Sequence, residues 1–204
     1  MNRNAWVALT GILFLVILIV SVVVAGEPPD PTEDAASEVV EFYADNDSEV
    51  MVSSALFTLA GVLFVAFAAA IRRELREAGG DDDTIPTLAL AGAIIFAVGA
   101  ATSSALGFAA ADLVDEETIS EETINTINAI SWDFFFPFAA GLLLFFLATG
   151  IGIVRTGALP KWLGWIAIVI GVVALTPIGF GAALAGAVWV LITSIVIGLR
   201  GRTA

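Results

Sequence analysis

Long apolar blocks and short polar separators alternate along the whole chain. Six blocks stand out, at about 5–25, 50–71, 86–112, 134–154, 162–178 and 180–199. Each is close to or above the roughly 18 residues a helix needs to cross about 30 Å of hydrocarbon. In lipid the backbone must satisfy its own hydrogen bonds, so such blocks are helices. The β-branched run VILIVSVVV at 16–24 therefore does not argue for strands. The pattern predicts an all-α fold, a single integral-membrane domain over 1–204. Its architecture is a polytopic membrane helix bundle with six transmembrane helices and short amphipathic surface helices on the outer side.

The separators carry their own periodicity. After the first block, Pro28, Pro29 and Pro31 forbid helix and then release one. Ala35, Ala36, Val39, Val40 and Tyr43 recur at spacings of three and four, which predicts a surface helix at about 32–45. It lies on the outer membrane surface or over the helix ends. Asn46, Asp47 and Ser48 supply a stop and a new N-cap. Before the fourth block, Thr118 and Glu121 have capping-box spacing, and Ile119, Ile124, Ile127 and Ile130 give a second surface helix at about 119–132.

Ile85-Pro86 and Leu159-Pro160 open the third and fifth blocks, with Gly92 and Gly99 in one and Gly164 and Gly171 in the other. Spans two and three and spans four and five therefore suggest two parallel hairpin repeats. The alternative is the general likeness of membrane hairpins.

Charge orients the bundle. The basic residues are Arg3, Arg72, Arg73, Arg76, Arg155, Lys161, Arg200 and Arg202, and six spans put all of them on the side of the N-terminus. That side is cytoplasmic by the positive-inside rule, which predicts a multi-pass cell-membrane protein with both termini cytoplasmic. The other side carries Glu27, Asp30, Glu33, Asp34, Glu38, Glu41, Asp45, Asp47 and Glu49, then Asp112, Asp115, Glu116, Glu117, Glu121, Glu122 and Asp133. An odd number of spans would scatter the arginines. A cleaved signal peptide ending at Val23-Val24-Ala25 is the competing reading of the first block. The apolar stretch from Trp6 to Ala25 is too long for it, since signal cores run about 7–15 residues, and an uncleaved anchor is expected.

The chain has no Cys and no His, which removes thiolate nucleophiles, disulfides, imidazole bases and most metal sites. No catalytic residue, metal site or cofactor is expected, and no enzyme. GGDDD at 79–83 reads as a solvated turn, because consecutive loop carboxylates lack the fixed geometry Mg²⁺ or Ca²⁺ needs. The net charge is -13, and no nucleic acid is expected as a partner. The bilayer is the first partner, with another membrane protein or a second copy of the chain beside it.

In SWDFFFPF at 131–138, Asp133 stands before three phenylalanines and Pro137. As a boundary marker it either caps the fourth span or precedes a kink, since Pro137 leaves the Asp133 carbonyl without its helical donor. As a functional group it pairs with Asp112 in a cation or proton site on the outer side. The boundary reading is preferred, because no base or histidine is available as a partner. Thr102, Ser103 and Ser104 form a polar cluster in the third span, read as helix-packing hydroxyls. Thr193 and Ser194 are read in the same way.

At SWDFFFPFAAG, RTGALPKWLGW, TPIGF, the Trp189–Ser194 stretch and EVVEFYADN, the chain resembles uncharacterised bacterial integral-membrane proteins, chiefly actinobacterial, grouped as domains of unknown function. The resemblance implies a six-helix bundle in a cell membrane and carries over no catalytic or binding residue. The expected function is that of a non-enzymatic accessory or scaffold protein. The alternative is a small transporter or channel using Asp112 and Asp133.

Overall fold

A computed structural model of the chain describes residues 3–26, 28–31, 33–80, 82–176 and 178–200. Glu27, Thr32, Asp81, Pro177 and Arg202, all invoked above, lie outside the described residues. The elements are α1 (Arg3–Ala25), α2 (Ala36–Asp45), α3 (Asp47–Gly79), α4 (Thr84–Leu113), α5 (Glu121–Asp133), α6 (Phe135–Thr156), α7 (Lys161–Val173) and α8 (Gly179–Arg200). No strand occurs among the described residues.

Among the described residues four helical stretches are long and apolar enough to cross a membrane: Asp47–Gly79, Thr84–Leu113, Glu121–Thr156 and Gly181–Arg200. They support a multi-pass membrane protein. Two further apolar stretches, Leu9–Ala25 and Lys161–Val173, are shorter.

α6 is the central rod. α4 lies on one side of it, where a Cβ on Gly92 would collide with the Phe145 nitrogen and one on Gly141 with the Phe96 nitrogen. α7 lies against it elsewhere, where a Cβ on Gly150 would stand 2.6 Å from the Gly164 carbonyl oxygen. Small residues let backbones approach closely and gain dispersion contacts that larger side chains would prevent. Gly99 and Gly171 do the same, against Phe138 and Leu147 of α6.

Both glycine pairs read from the sequence thus face α6, one from the neighbouring hairpin and one from within α6's own. Their partners are not equivalent, and α7 has 13 residues against 30 in α4. The glycine spacing that suggested a repeat reflects one shared partner instead.

Around this spine α3 packs on α4, and α1 packs on α3 and α8. Aromatic rings fill the middle: Phe64 has Phe14 at 5.1 Å and Phe96 and Phe145 at 4.7 Å between centroids. Phe146 meets Trp189 edge-on at 5.4 Å, and the Trp189 Nε1–H donates to the Leu163 carbonyl at 2.9 Å, tying α8 to α7. Such ring pairs add about 0.5–1.5 kcal/mol each beyond their buried area.

Basic groups gather at one end. Arg72 and Arg76 pair with Asp83, the latter at 3.2 Å, and the Arg200 guanidinium donates to the Ala158 carbonyl at 2.6 Å. Arg155 faces Asp82, whose carboxyl accepts the Thr84 N–H at 3.0 Å and is held below its usual range by that bond. Within the segment read as a solvated turn Asp82 is exposed, and Asp83 additionally staples the C-terminal turns of α3 to the N-terminus of α4.

The opposite end departs further from expectation. α2 begins at Ala36, because the Asp30 N–H donates to the Asp34 carboxylate at 2.7 Å and holds the preceding residues in a turn. Asn46 caps nothing with its side chain; its amide donates back to the Phe42 carbonyl at 2.8 Å and ends α2. α5 is capped by Ser120, which accepts the Thr123 N–H at 3.3 Å, instead of by the Thr118 and Glu121 box.

α5 packs against α4. Ser131, near its end, bonds Ser103 of α4, ten residues before the end of that helix at Leu113. α5 thus runs back antiparallel along the last turns of α4. Val39 and Tyr43 of α2, Val50 of α3, Ala110 and Ala111 of α4 and Ile124 of α5 form a second small core there. Helix α7 also stops early, at Val173 instead of 178, with the Thr176 hydroxyl donating to the Val173 carbonyl at 2.7 Å in the turn.

Replacing Gly141 by Ala forces the α4 and α6 backbones apart, and overpacking of this kind costs about 1–3 kcal/mol. The thermal midpoint in detergent, followed by tryptophan fluorescence, is expected to fall. Gly181→Ala, where a Cβ meets nothing within 4 Å, is expected to leave it unchanged.

Candidate functional site

Beneath the second core lies a pocket of about 290 Å³. Six serines line it: Ser21 of α1, Ser53 and Ser54 of α3, Ser103 and Ser104 of α4, and Ser131 of α5. The hairpin register explains the convergence. A Cβ on Gly61 of α3 would meet Ala97 of α4, so moving seven residues outward on each helix brings Ser54 level with Ser104.

Four of these hydroxyls brace the walls. Ser21 donates to the Leu18 carbonyl and Ser53 to the Ser21 carbonyl, both at 2.8 Å, joining α1 to α3. Ser103 and Ser131 approach at 3.1 Å between hydroxyls, and each also reaches the other's carbonyl, at 3.2 and 3.3 Å. Ser104 differs. It is 7% exposed, and its Oγ has no hydrogen-bond partner among the described residues. An unpaired buried hydroxyl costs about 1–3 kcal/mol, so this group stands out energetically.

The floor is aromatic. Phe57 lines the pocket and stacks on Phe138 at 6.4 Å, and Phe138 lies 4.4 Å from Phe96 at the top of the ring cluster. A separate pocket of about 280 Å³ at the basic end is lined by Asp82, Arg155 and Thr156 among others. The ring cluster of Phe64, Phe96, Phe145 and Phe146 lies between the two ends.

The roof holds a buried polar node. Asn128 of α5 is 1% exposed; it accepts the Tyr43 hydroxyl at 3.0 Å and donates to the Pro29 carbonyl at 3.1 Å. One side chain thus joins α2, α5 and the loop after α1. Burial pushes the Tyr43 phenol up to about 12.

Ser103 and Ser104, read as helix glue, therefore do line a site, and Ser103 braces α5 as that reading expected. Thr102 does not line it; its hydroxyl donates to the Val98 carbonyl at 2.9 Å. Asp112 and Asp133 are exposed, and neither lines the pocket. From the pairing of Ser103 with Ser131, Asp133 lies level with about residue 101 of α4, so Asp112 is about 16 Å further along the axis. The two carboxylates are not brought together as a cation site.

Asp133 ends α5, and Phe134, not Asp133, occupies the N-cap position of α6 without a side-chain bond. The helix breaks where Pro137 leaves the Asp133 carbonyl without a donor, and resumes with the Phe138 N–H donating to Phe134 at 3.4 Å. Among the described residues no group of three metal-binding side chains occurs.

Ser21, Ser53, Ser54, Ser131 and Asn128 were missed from the sequence. A usable signal was present: Ser54 and Ser104 each lie 25 residues from Gly79 at the hairpin turn. No protein-family model, curated protein or solved structure matches this chain.

Tyr43 is the chain's single tyrosine, so its tyrosinate absorbance reports the roof alone. The unfolded phenol ionises near 10.0 and the buried one near about 12. Stability is therefore expected to be flat below pH about 10 and to fall by about 2–3 kcal/mol as pH rises through about 12. Tyr43→Phe is expected to remove this alkaline loss; a phenol titrating near 10 in the folded protein would contradict the buried node.

Proposed function

We propose that the chain is a six-span protein of the cell membrane, with both termini cytoplasmic, acting as a non-enzymatic accessory or scaffold protein. α1, α3, α4, α6, α7 and α8 are the spans, with the turn after Val173 completing the crossing begun by α7. From Arg155 to Asp133 is 22 residues of nearly continuous helix, about 33 Å, close to the thickness of the hydrocarbon slab. Exposed Trp162 at the basic end and exposed Trp132 near Asp133 suit the two interfaces. α2, α5 and the outer turns of α3 and α4 then stand clear of the slab as an acidic cap. The likeness to bacterial integral-membrane proteins belongs to the same proposal.

One observation carries the accessory reading over the transporter: the ring cluster between the two pockets. A path for a hydrated solute needs polar groups along its length, and the middle of the bundle is filled by Phe64, Phe96, Phe145, Phe146 and Trp189, with the buried hydroxyls of Thr149, Thr193 and Ser194 uncharged among the helices. The outer carboxylates do not converge at its mouth. The cap and the exposed apolar ridges are then the working surfaces, toward another membrane protein or a second copy.

The absence of native cysteine makes sidedness measurable. Gly80 has a φ of 74°, so a cysteine is better placed at Ala78, with Ser37 as the outer position. An impermeant maleimide on intact cells is expected to label Ser37→Cys and to spare Ala78→Cys; the reverse pattern inverts the orientation. For the second half of the proposal, proteoliposomes are expected to leak cations no faster than protein-free ones. A saturable cation flux lost in Asp133→Asn would favour the transporter.

A further inference from the structure

The outer pocket is built for an oxygen acceptor without charge. We propose that it binds the acyl-ester region of a neutral glyceride, whose chains leave over the outer end of α1. Ser104 supplies the donor: more than nine-tenths buried, unpartnered and part of the pocket lining. An ester carbonyl accepts a hydrogen bond and demands none in return, so it relieves the unpaired hydroxyl without creating a new unpaired group.

The volume of about 290 Å³ is near the lower limit for ligand pockets, about 300 Å³. That suits the glyceryl-ester portion of a lipid with its chains outside. The apolar side of the mouth is where those chains would lie. Val22 and Ala25 line the pocket, and Val22 and Val23 are 61% and 75% exposed on α1.

Charge selects among lipids. Among the described residues no Lys, Arg, Asp or Glu lines the pocket, so they offer a phosphate no counter-ion. Glu38 and Glu41 on the nearby α2 add repulsion toward anions. A neutral diacylglycerol satisfies these constraints, and an anionic phospholipid does not.

The proposal rests on the membrane reading only for lateral entry from the outer leaflet; binding itself is measured without sidedness. Full-length protein in detergent would be mixed with dioleoylglycerol or with dioleoyl-phosphatidylglycerol and examined by native mass spectrometry and thermal shift. Wild type is expected to retain one diacylglycerol with a raised thermal midpoint, and to hold phosphatidylglycerol at least tenfold more weakly.

Gly107→Leu is the filling variant. Its Cβ would meet Ser54 Oγ at 3.6 Å and Val50 Cγ1 at 4.0 Å, which is ordinary contact, so the rest of the side chain enters the pocket. It is expected to lose the bound glyceride. Ser104→Ala is expected to weaken retention about tenfold while leaving the ligand-free midpoint unchanged or higher. A hydroxyl serving only as helix glue would lower that midpoint.

Equal retention in Gly107→Leu, preference for phosphatidylglycerol, or no glyceride on wild type would each overturn the site. An inverted maleimide pattern with glyceride retention intact would overturn the sidedness and leave the site standing.

Discussion

The architecture depends on how closely two neighbours approach the backbone of α6. Gly92 and Gly141 bring α4 to contact distance, and Gly150 and Gly164 do so for α7. Once those contacts are made, the axial level of every other group follows from helical rise. Phe96 and Phe145 must meet beside Phe64, Ser103 must fall beside Ser131, and Asp133 must sit near the end of α6. In lipid no hydrophobic effect drives helix to helix, so this close packing is the main available source of cohesion.

A second consequence is the overhang. α3 and α4 are 33 and 30 residues long, about 50 and 45 Å, which exceeds a hydrocarbon slab by about 20 and 15 Å. The surplus turns would expose apolar positions to water at the acidic end. α2 and α5 cover them, and Asn128 locks the cover by engaging Tyr43 and the Pro29 carbonyl. The serine pocket is what remains between that cover and the aromatic core.

Helix type and order were legible in the sequence because hydrophobic length is a one-dimensional property. The blocks at 86–112 and 134–154 agree with α4 and α6 to within two residues at each end. What failed depended on tertiary partners. The isoleucine stripe of α5 is the same whether it faces lipid, water or α4, and only the bond from Ser131 to Ser103 decides the case.

The two glycine pairs suggested a repeat because sequence shows spacing without showing what each glycine touches. Asp112 and Asp133 drew attention as charges beside apolar runs, yet the site formed from uncharged serines whose register requires the hairpin to be folded in mind. The Ser54 and Ser104 symmetry about Gly79 was visible, but it becomes meaningful only once α3 and α4 are paired.

The shortness of α7 places a demand on the turn that follows it. Thirteen helical residues rise about 20 Å, well short of the hydrocarbon thickness, and the turn after Val173 carries its own hydrogen bonds, including Thr176 N–H to Val173 at 2.9 Å. On the six-span proposal the turn after Val173 makes up the missing length, so its N–H and carbonyl groups must be satisfied locally at membrane depth, beside the exposed Trp165, Val169 and Val172 flank.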